Sequence, residues 1–203
     1  MTVTRPSPNE AKLRELIIYI STLEEKDDVF GKTKLNKILF RADFTAYVEF
    51  GKPITGVEYF ALYNGPAPRP MKRLLEMMEE KREIAIRKEN YGGGEQERVI
   101  ALRRAELENK FNVRELDLIV RVVQHYWGKS GTTMSDESHE FFGWSLARLQ
   151  ETIPYHVALI ADRDPTPSEI DRGLESQSLA EQCLTRNAAK RPKTPDDHRG
   201  RAI

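Results

Sequence analysis

Cysteine is almost missing from this chain. The single Cys183 excludes an internal disulfide framework and suits a reducing compartment. Long apolar runs are missing too, and nothing approaches the roughly 18 residues that an apolar spanning helix requires. The opening residues MTVTRPSPNEAKL lack the apolar core of a secretory signal, so a cytoplasmic location is expected. Excess charge of one sign is also absent: 32 Lys and Arg stand against 32 Asp and Glu. No global field therefore favours nucleic acid or an anionic membrane, and neither is an expected partner. Familiar catalytic patterns are wanting. There is no Gly-x-Ser-x-Gly elbow, no Cys or His pair at zinc spacing, and no Lys-Ser/Thr after Gly92–Gly94 to make a phosphate loop.

What is present is a set of helical and extended segments in one chain of 203 residues, enough for one domain and an appendage. Leu13, Leu16, Ile17, Ile20 and Leu23 repeat at helical spacing and predict a first helix that ends near Asp27–Gly31. A second begins at Lys32–Thr33 with Leu35, Ile38, Leu39, Ala42 and Ala46 as its stripe. Phe40, Phe44, Tyr47 and Phe50 widen that stripe, so this helix should be central, and Gly51 should end it. Val57–Tyr63 reads as a buried strand that Asn64-Gly65-Pro66 breaks, with Pro70 opening a helix on Met71, Leu74, Leu75 and Met78. Glu83–Lys88 and Arg98–Arg103 predict a hairpin closed through Gly92–Gly94, with Ile84 and Ile86 facing Val99 and Ala101 or the alternate register. Asn112 with Glu115 predicts a capped helix carrying Val113, Leu116, Ile119, Val120, Val123 and Trp127. Residues 132–150 should hold one or two short helices anchored by Met134, Phe141, Phe142, Trp144 and Leu146.

The fold class expected is α+β: a mostly helical domain around a small, largely antiparallel β-sheet, with a C-terminal helix and a disordered tail. The domain should span residues 9–161, a linker and helix 162–186, and a basic tail 187–203. From Arg186 onward, six Lys or Arg face two Asp with almost no large apolar residue, too little to bury for ordering.

Three blocks occur in order between Lys34 and Pro70: Lys34-Leu35-Asn36-Lys37-Ile38-Leu39-Phe40, Gly51-Lys52-Pro53-Ile54-Thr55-Gly56, and Tyr63-Asn64-Gly65-Pro66-Ala67-Pro68. Together they resemble the Panacea domain, the family of SocA-like antitoxins and phage-associated proteins, in which "KLxKLLYxAD" precedes "YGKPITG" and "YGPVP". The resemblance implies a non-catalytic antitoxin that binds and neutralises a cognate toxin protein. Some members also present their toxin to a cytoplasmic protease. It implies no cofactor. This chain departs from the family pattern by placing Asn64 between Tyr63 and Gly65.

The Tyr63–Arg69 segment is the candidate partner site. Proline and glycine stiffen it, and Tyr63 and Arg69 are residue types common in binding hot spots. On this reading Tyr63, Asn64, Gly65, Pro66 and Arg69 touch the toxin, with Arg69 available for a carboxylate. The plainer role is chain reversal before the next helix. An alternative from another class is a small metal-dependent hydrolase built on Asp136, His139 and Glu140, with His125 or His156 nearby. His139-Glu140-Phe141-Phe142-Gly143 begins like H-E-x-x-H but lacks the second histidine. Lys34, Lys37 and Arg41 form a helical stripe that, with the basic tail, offers a third reading as an RNA-binding regulator. A solvated face is the simpler account of that stripe. Cys183 reads as a small buried hydrophobe of the last helix rather than a nucleophile.

Overall fold

A computed structural model describes residues 7–91, 94–131, 133, 134, 143 and 146–160. The chain divides into two units, Met1–Ile160 and Ala161–Ile203, and all described residues lie in the first. The expected C-terminal helix, Cys183 and the basic tail lie outside the described residues. So do Phe141, Phe142, Trp144 and residues 92 and 93.

Asn9 starts the first helix, α1 (Glu10–Leu23), by accepting a 2.9 Å bond from the Lys12 amide. The Asn9 amide in turn donates to the Thr55 carbonyl at 2.8 Å, which ties the helix start to a distant loop. Leu13, Leu16, Ile17 and Ile20 are buried as their spacing requires. Ile18, Glu15 and Ser21 are buried as well, so α1 is covered on more than one face. The helix stops at Leu23, earlier than expected, and turns carry the chain to Gly31.

α2 (Lys32–Phe50) is the central helix, in contact with α1, α4 (Val113–Tyr126), both sheets and the last 3-10 turn. Its stripe of Leu35, Ile38, Leu39, Ala42 and Ala46 is fully buried, and Phe40 and Phe44 extend it into an aromatic cluster with Tyr59 and Tyr155. Gly51 ends it in the left-handed region at φ 74, donating its amide to the Tyr47 carbonyl.

Two antiparallel sheets follow. The first has the order β2-β1-β5, with β1 Tyr59–Leu62, β2 Gly65–Pro68 and β5 Thr152–Ile153. The strand breaks at Asn64 as expected, but Gly65 and Pro66 open a second strand rather than a loop. Leu62 pairs with Gly65 and Tyr59 with Pro68, so β1 and β2 form a hairpin whose tip is Tyr63–Asn64. Two prolines are tolerated because β2 is an edge strand, where an N–H facing away from the partner is not needed. Gly65, at φ 93, supplies the positive dihedral the tight reversal needs, which spares Tyr63 and Asn64.

α3 (Met71–Glu80) buries Met71, Leu74, Leu75 and Met78 as predicted, with Pro70 just before its first residue. β3 (Ile84–Tyr91) and β4 (Gly94–Ala101) pair with Ile84 opposite Ala101 and Ile86 opposite Val99, one of the two registers the sequence leaves open. A reciprocal capping box of Asn112 and Glu115 opens α4. Its buried face, however, is Leu118, Ile119, Val122, Val123 and Tyr126, while Val113 and Trp127 are exposed. The sequence allows two overlapping helical stripes, and the one flanked by polar Glu115 and Tyr126 is the one that packs. Of the expected anchors, Met134 is buried and Leu146 is exposed. A 3-10 turn, Tyr155–Leu159, places the Tyr155 hydroxyl 2.7 Å from the Val57 carbonyl. The class is α+β, as expected.

Candidate partner-binding site

The three sequence blocks converge on α2 and its neighbours, and several of their polar residues point inward. Lys34 is only 1% exposed. Its ammonium lies 2.6 Å from Asp27 and 3.2 Å from Glu24, both buried in the turns after α1. Asp27 also accepts from the amides of Val29 (2.9 Å) and Gly128 (2.7 Å), which joins the α1–α2 connection to the end of α4. Burial works to raise the Asp27 carboxyl, but these donors outweigh it and hold its pKa below the usual value. Glu24 has no such set of donors. Burial pushes its carboxyl up to about 7, against the pull of Lys34.

One turn on, Lys37 is buried and donates to the Asn64 carbonyl at the hairpin tip. Burial depresses its ammonium to about 8. Arg41 follows, with Nε 3.0 Å from the Tyr126 hydroxyl. The solvated basic face expected from Lys34, Lys37 and Arg41 is thus corrected: two of the three are buried and serve the interior. A lysine can be buried when its ammonium finds oxygen partners, and helical spacing alone cannot reveal them.

Asp43 is completely buried. It accepts from the Thr55 amide at 2.7 Å, from the Thr55 hydroxyl, and from the Tyr59 hydroxyl at 2.9 Å. Burial raises this carboxyl above its ordinary range, although the Thr55 and Tyr59 bonds work against it. The residues of the second block therefore latch onto the helix formed by the first.

One part of the segment faces out. Tyr63 is 82% exposed and Asn64 is exposed beside it, held from beneath by Lys37. Gly65 and Pro66 are buried in β2, so they support the tip rather than present themselves. Arg69 is exposed but already engaged. It pairs with Glu58 at 3.2 Å, donates to the Thr152 hydroxyl at 2.9 Å and lies 4.9 Å over the Phe60 ring. Its guanidinium braces β1 against β5, so the free carboxylate-binding arm expected of it is already committed within the sheet. At the same end of this sheet, Leu149 is exposed and Gln150 donates to the Ala61 carbonyl at 2.7 Å.

The metal-hydrolase residues Asp136, His139 and Glu140 lie outside the described residues. Among the described residues no group of three or more His, Cys, Asp or Glu could hold a metal ion. His125 is exposed and lies 3.3 Å from Lys129, not beneath the packed stripe. Among the described residues no helix is long and apolar enough to cross a membrane.

No curated protein and no solved structure matches the chain significantly. Residues 35–145, more than half of the chain, do match the family described as antitoxin SocA-like, Panacea domain. That match contains Lys37, Asp43, Thr55 and Tyr59 of the buried network and the hairpin with its exposed tip, and the chain belongs to the SocA-like antitoxin family of Panacea-domain proteins.

Proposed function

We propose that this protein is the antitoxin of a toxin–antitoxin pair and neutralises its toxin by direct binding, with the Tyr63–Asn64 tip at the contact. Family membership supplies the partner class. The observation that carries the site is the exposure of Tyr63, 82%, within a segment whose other motif residues are nearly all committed to the interior. A tyrosine offers a large amphipathic contact area with two rotatable bonds, so little entropy is lost when it docks. The tip beneath it is braced by Lys37 and by the β1–β2 ladder, which lowers the ordering cost further. Neutralisation by occlusion needs no catalytic group and no cofactor on this chain: a rigid surface covers the toxin's active site or holds an inactive form of it.

The test is to co-express the product of the adjacent gene with this chain, scoring growth and co-purification. Growth rescue with a stoichiometric complex is the expected result. Rescue with no complex, accompanied by loss of the toxin protein, would replace sequestration by delivery to a protease.

A further inference from the structure

Away from the hairpin tip, the C-terminal half of α1 and the β3–β4 hairpin enclose a cleft of about 530 Å³. Its lining carries four arginines, Arg87, Arg98, Arg103 and Arg104, against the two carboxylates Glu25 and Glu89. Their charges are satisfied very unequally. Arg103 is neutralised by Glu15, with two contacts at 2.8 Å, and by Glu83 at 3.4 Å. Arg98 is fixed without being neutralised. It donates to the neutral carbonyls of Glu24, Glu25 and Asp27 at 3.3, 2.6 and 2.8 Å, and its nearest carboxylate, Glu89, is 4.0 Å away. Among the described residues Arg87 reaches only the same Glu89, at 3.7 Å, and Arg104 pairs with no carboxylate.

A second observation points into the same cleft. Ser21 lines it, is 4% exposed, and its hydroxyl has no hydrogen-bond partner among the described residues. Buried hydroxyls are ordinarily satisfied, so an orphan on the wall of a cationic cleft is a donor available to a ligand oxygen. The lining also carries apolar Ile100 and Leu102. The volume falls within the range of small-molecule sites and exceeds what one inorganic anion fills.

We propose that this cleft binds a small phosphate-bearing molecule of nucleoside-phosphate size. The guanidinium groups of Arg87, Arg98 and Arg104 would hold the phosphate oxygens, Ser21 would complete the set, and Ile100 and Leu102 would cover the organic part. Guanidinium forks match phosphate geometry and form charge-assisted bonds. A pre-fixed arginine such as Arg98 loses little freedom when it does so. The proposal does not rest on the antitoxin reading, since none of these residues belongs to the tip.

Titration calorimetry on the full chain at low salt, with ADP, pyrophosphate and an oligoglutamate peptide as probes, tests it. Saturable one-to-one binding of ADP is expected. Binding of pyrophosphate as well would assign the affinity chiefly to the phosphates, and ADP alone would assign a share to the apolar lining. Arg104→Glu and Arg87→Glu should each weaken ADP by about tenfold or more, because each removes a charge-assisted contact and adds repulsion. Both side chains are exposed, so thermal melting without ligand should not change. Ser21→Ala should weaken binding less than either. Absence of saturable binding to both phosphate probes, or equal binding by the charge-reversed variants, overturns the proposal. Binding of oligoglutamate alone also overturns it and makes the cleft a contact for acidic peptide.

Discussion

The buried half of the motif segment and its exposed tip put polar residues to opposite ends. In α2, Lys34, Lys37 and Asp43 are closed off from water and linked to Glu24, Asp27, Thr55 and Tyr59. At the hairpin, Tyr63 and Asn64 stand in solvent. Polar groups inside a protein are costly unless partnered, and a partnered network admits few alternative arrangements. The buried half thus specifies one placement of loop, helix and hairpin, and the tip inherits that placement. Substitutions in the two halves should separate cleanly into those that unfold and those that only unbind.

The largest effect is expected at Asp43. Asp43→Ala would strand the Thr55 amide, the Thr55 hydroxyl and the Tyr59 hydroxyl. At about 1–3 kcal/mol for each orphaned buried group, the total loss should be at least about 3 kcal/mol. Asp43→Asn keeps an acceptor oxygen and should lose less. Denaturant melts of the two variants check this, and equal stability of Asp43→Ala and wild type would dissolve the distinction between the halves. Next comes Leu39→Ala, which opens a cavity at a fully buried position of the same helix and should cost about 2–5 kcal/mol. Partner binding lost without a change in melting would instead place this face at the interface.

Much of this architecture was legible in the sequence because it follows local rules. The apolar spacing of α1, α2 and α3 and the Asn112–Glu115 capping box each depend on neighbours a few residues apart. What was hidden depends on partners outside the helix that carries the residue. Nothing local says that Lys34 meets Asp27 and Glu24, or that Lys37 meets the carbonyl of residue 64, so their row read as a wet face. The strand Gly65–Pro68 was hidden for another reason: its prolines are excluded from central strands, and only its edge position admits them. That misreading turned a buried strand into a loop and made Gly65, Pro66 and Arg69 look more available than they are. The arginine cleft had no sequence signal, since its members come from three elements.

A smaller effect sharpens the comparison from within the buried half. α1 and the turn after it carry two buried glutamates of opposite tendency. Burial acts to raise Glu15, but the bonds from Arg103 and the Glu106 amide win and bring it down to about 2. For Glu24 burial wins and the pKa rises to about 7 from an ordinary 4.5. The folded state therefore binds more protons at Glu24 than the unfolded chain does. That contribution is complete below pH 4.5 and is lost as pH rises through about 7. Glu15 runs the other way: its contribution is present above pH 4.5 and is lost as pH falls towards 2. Glu24→Gln should remove the neutral limb alone, so the variant gains on wild type between pH 5 and 8 by up to about 3 kcal/mol. A parallel pH profile for the two proteins would show that Lys34 keeps Glu24 ionised in the fold.

At the tip the expected effect on stability is none, which is what makes it informative. Tyr63 is 82% exposed, so Tyr63→Ala removes almost no buried area and should leave the melting temperature where it is. Binding should respond instead. If Tyr63 is an anchor of the toxin contact, its truncation should weaken the complex by about 1–2 kcal/mol or more, roughly tenfold in Kd. Arg69→Ala supplies the contrast. Arg69 braces Glu58, Phe60 and Thr152, so its loss should loosen the sheet that carries the tip and act on stability and binding together. Growth rescue by co-expression, a measured Kd and a melting curve on each variant separate these outcomes. Full-strength binding by a folded Tyr63→Ala, Asn64→Ala double variant would take the tip out of the interface. The exposed end of the family segment would then be as structural as its interior.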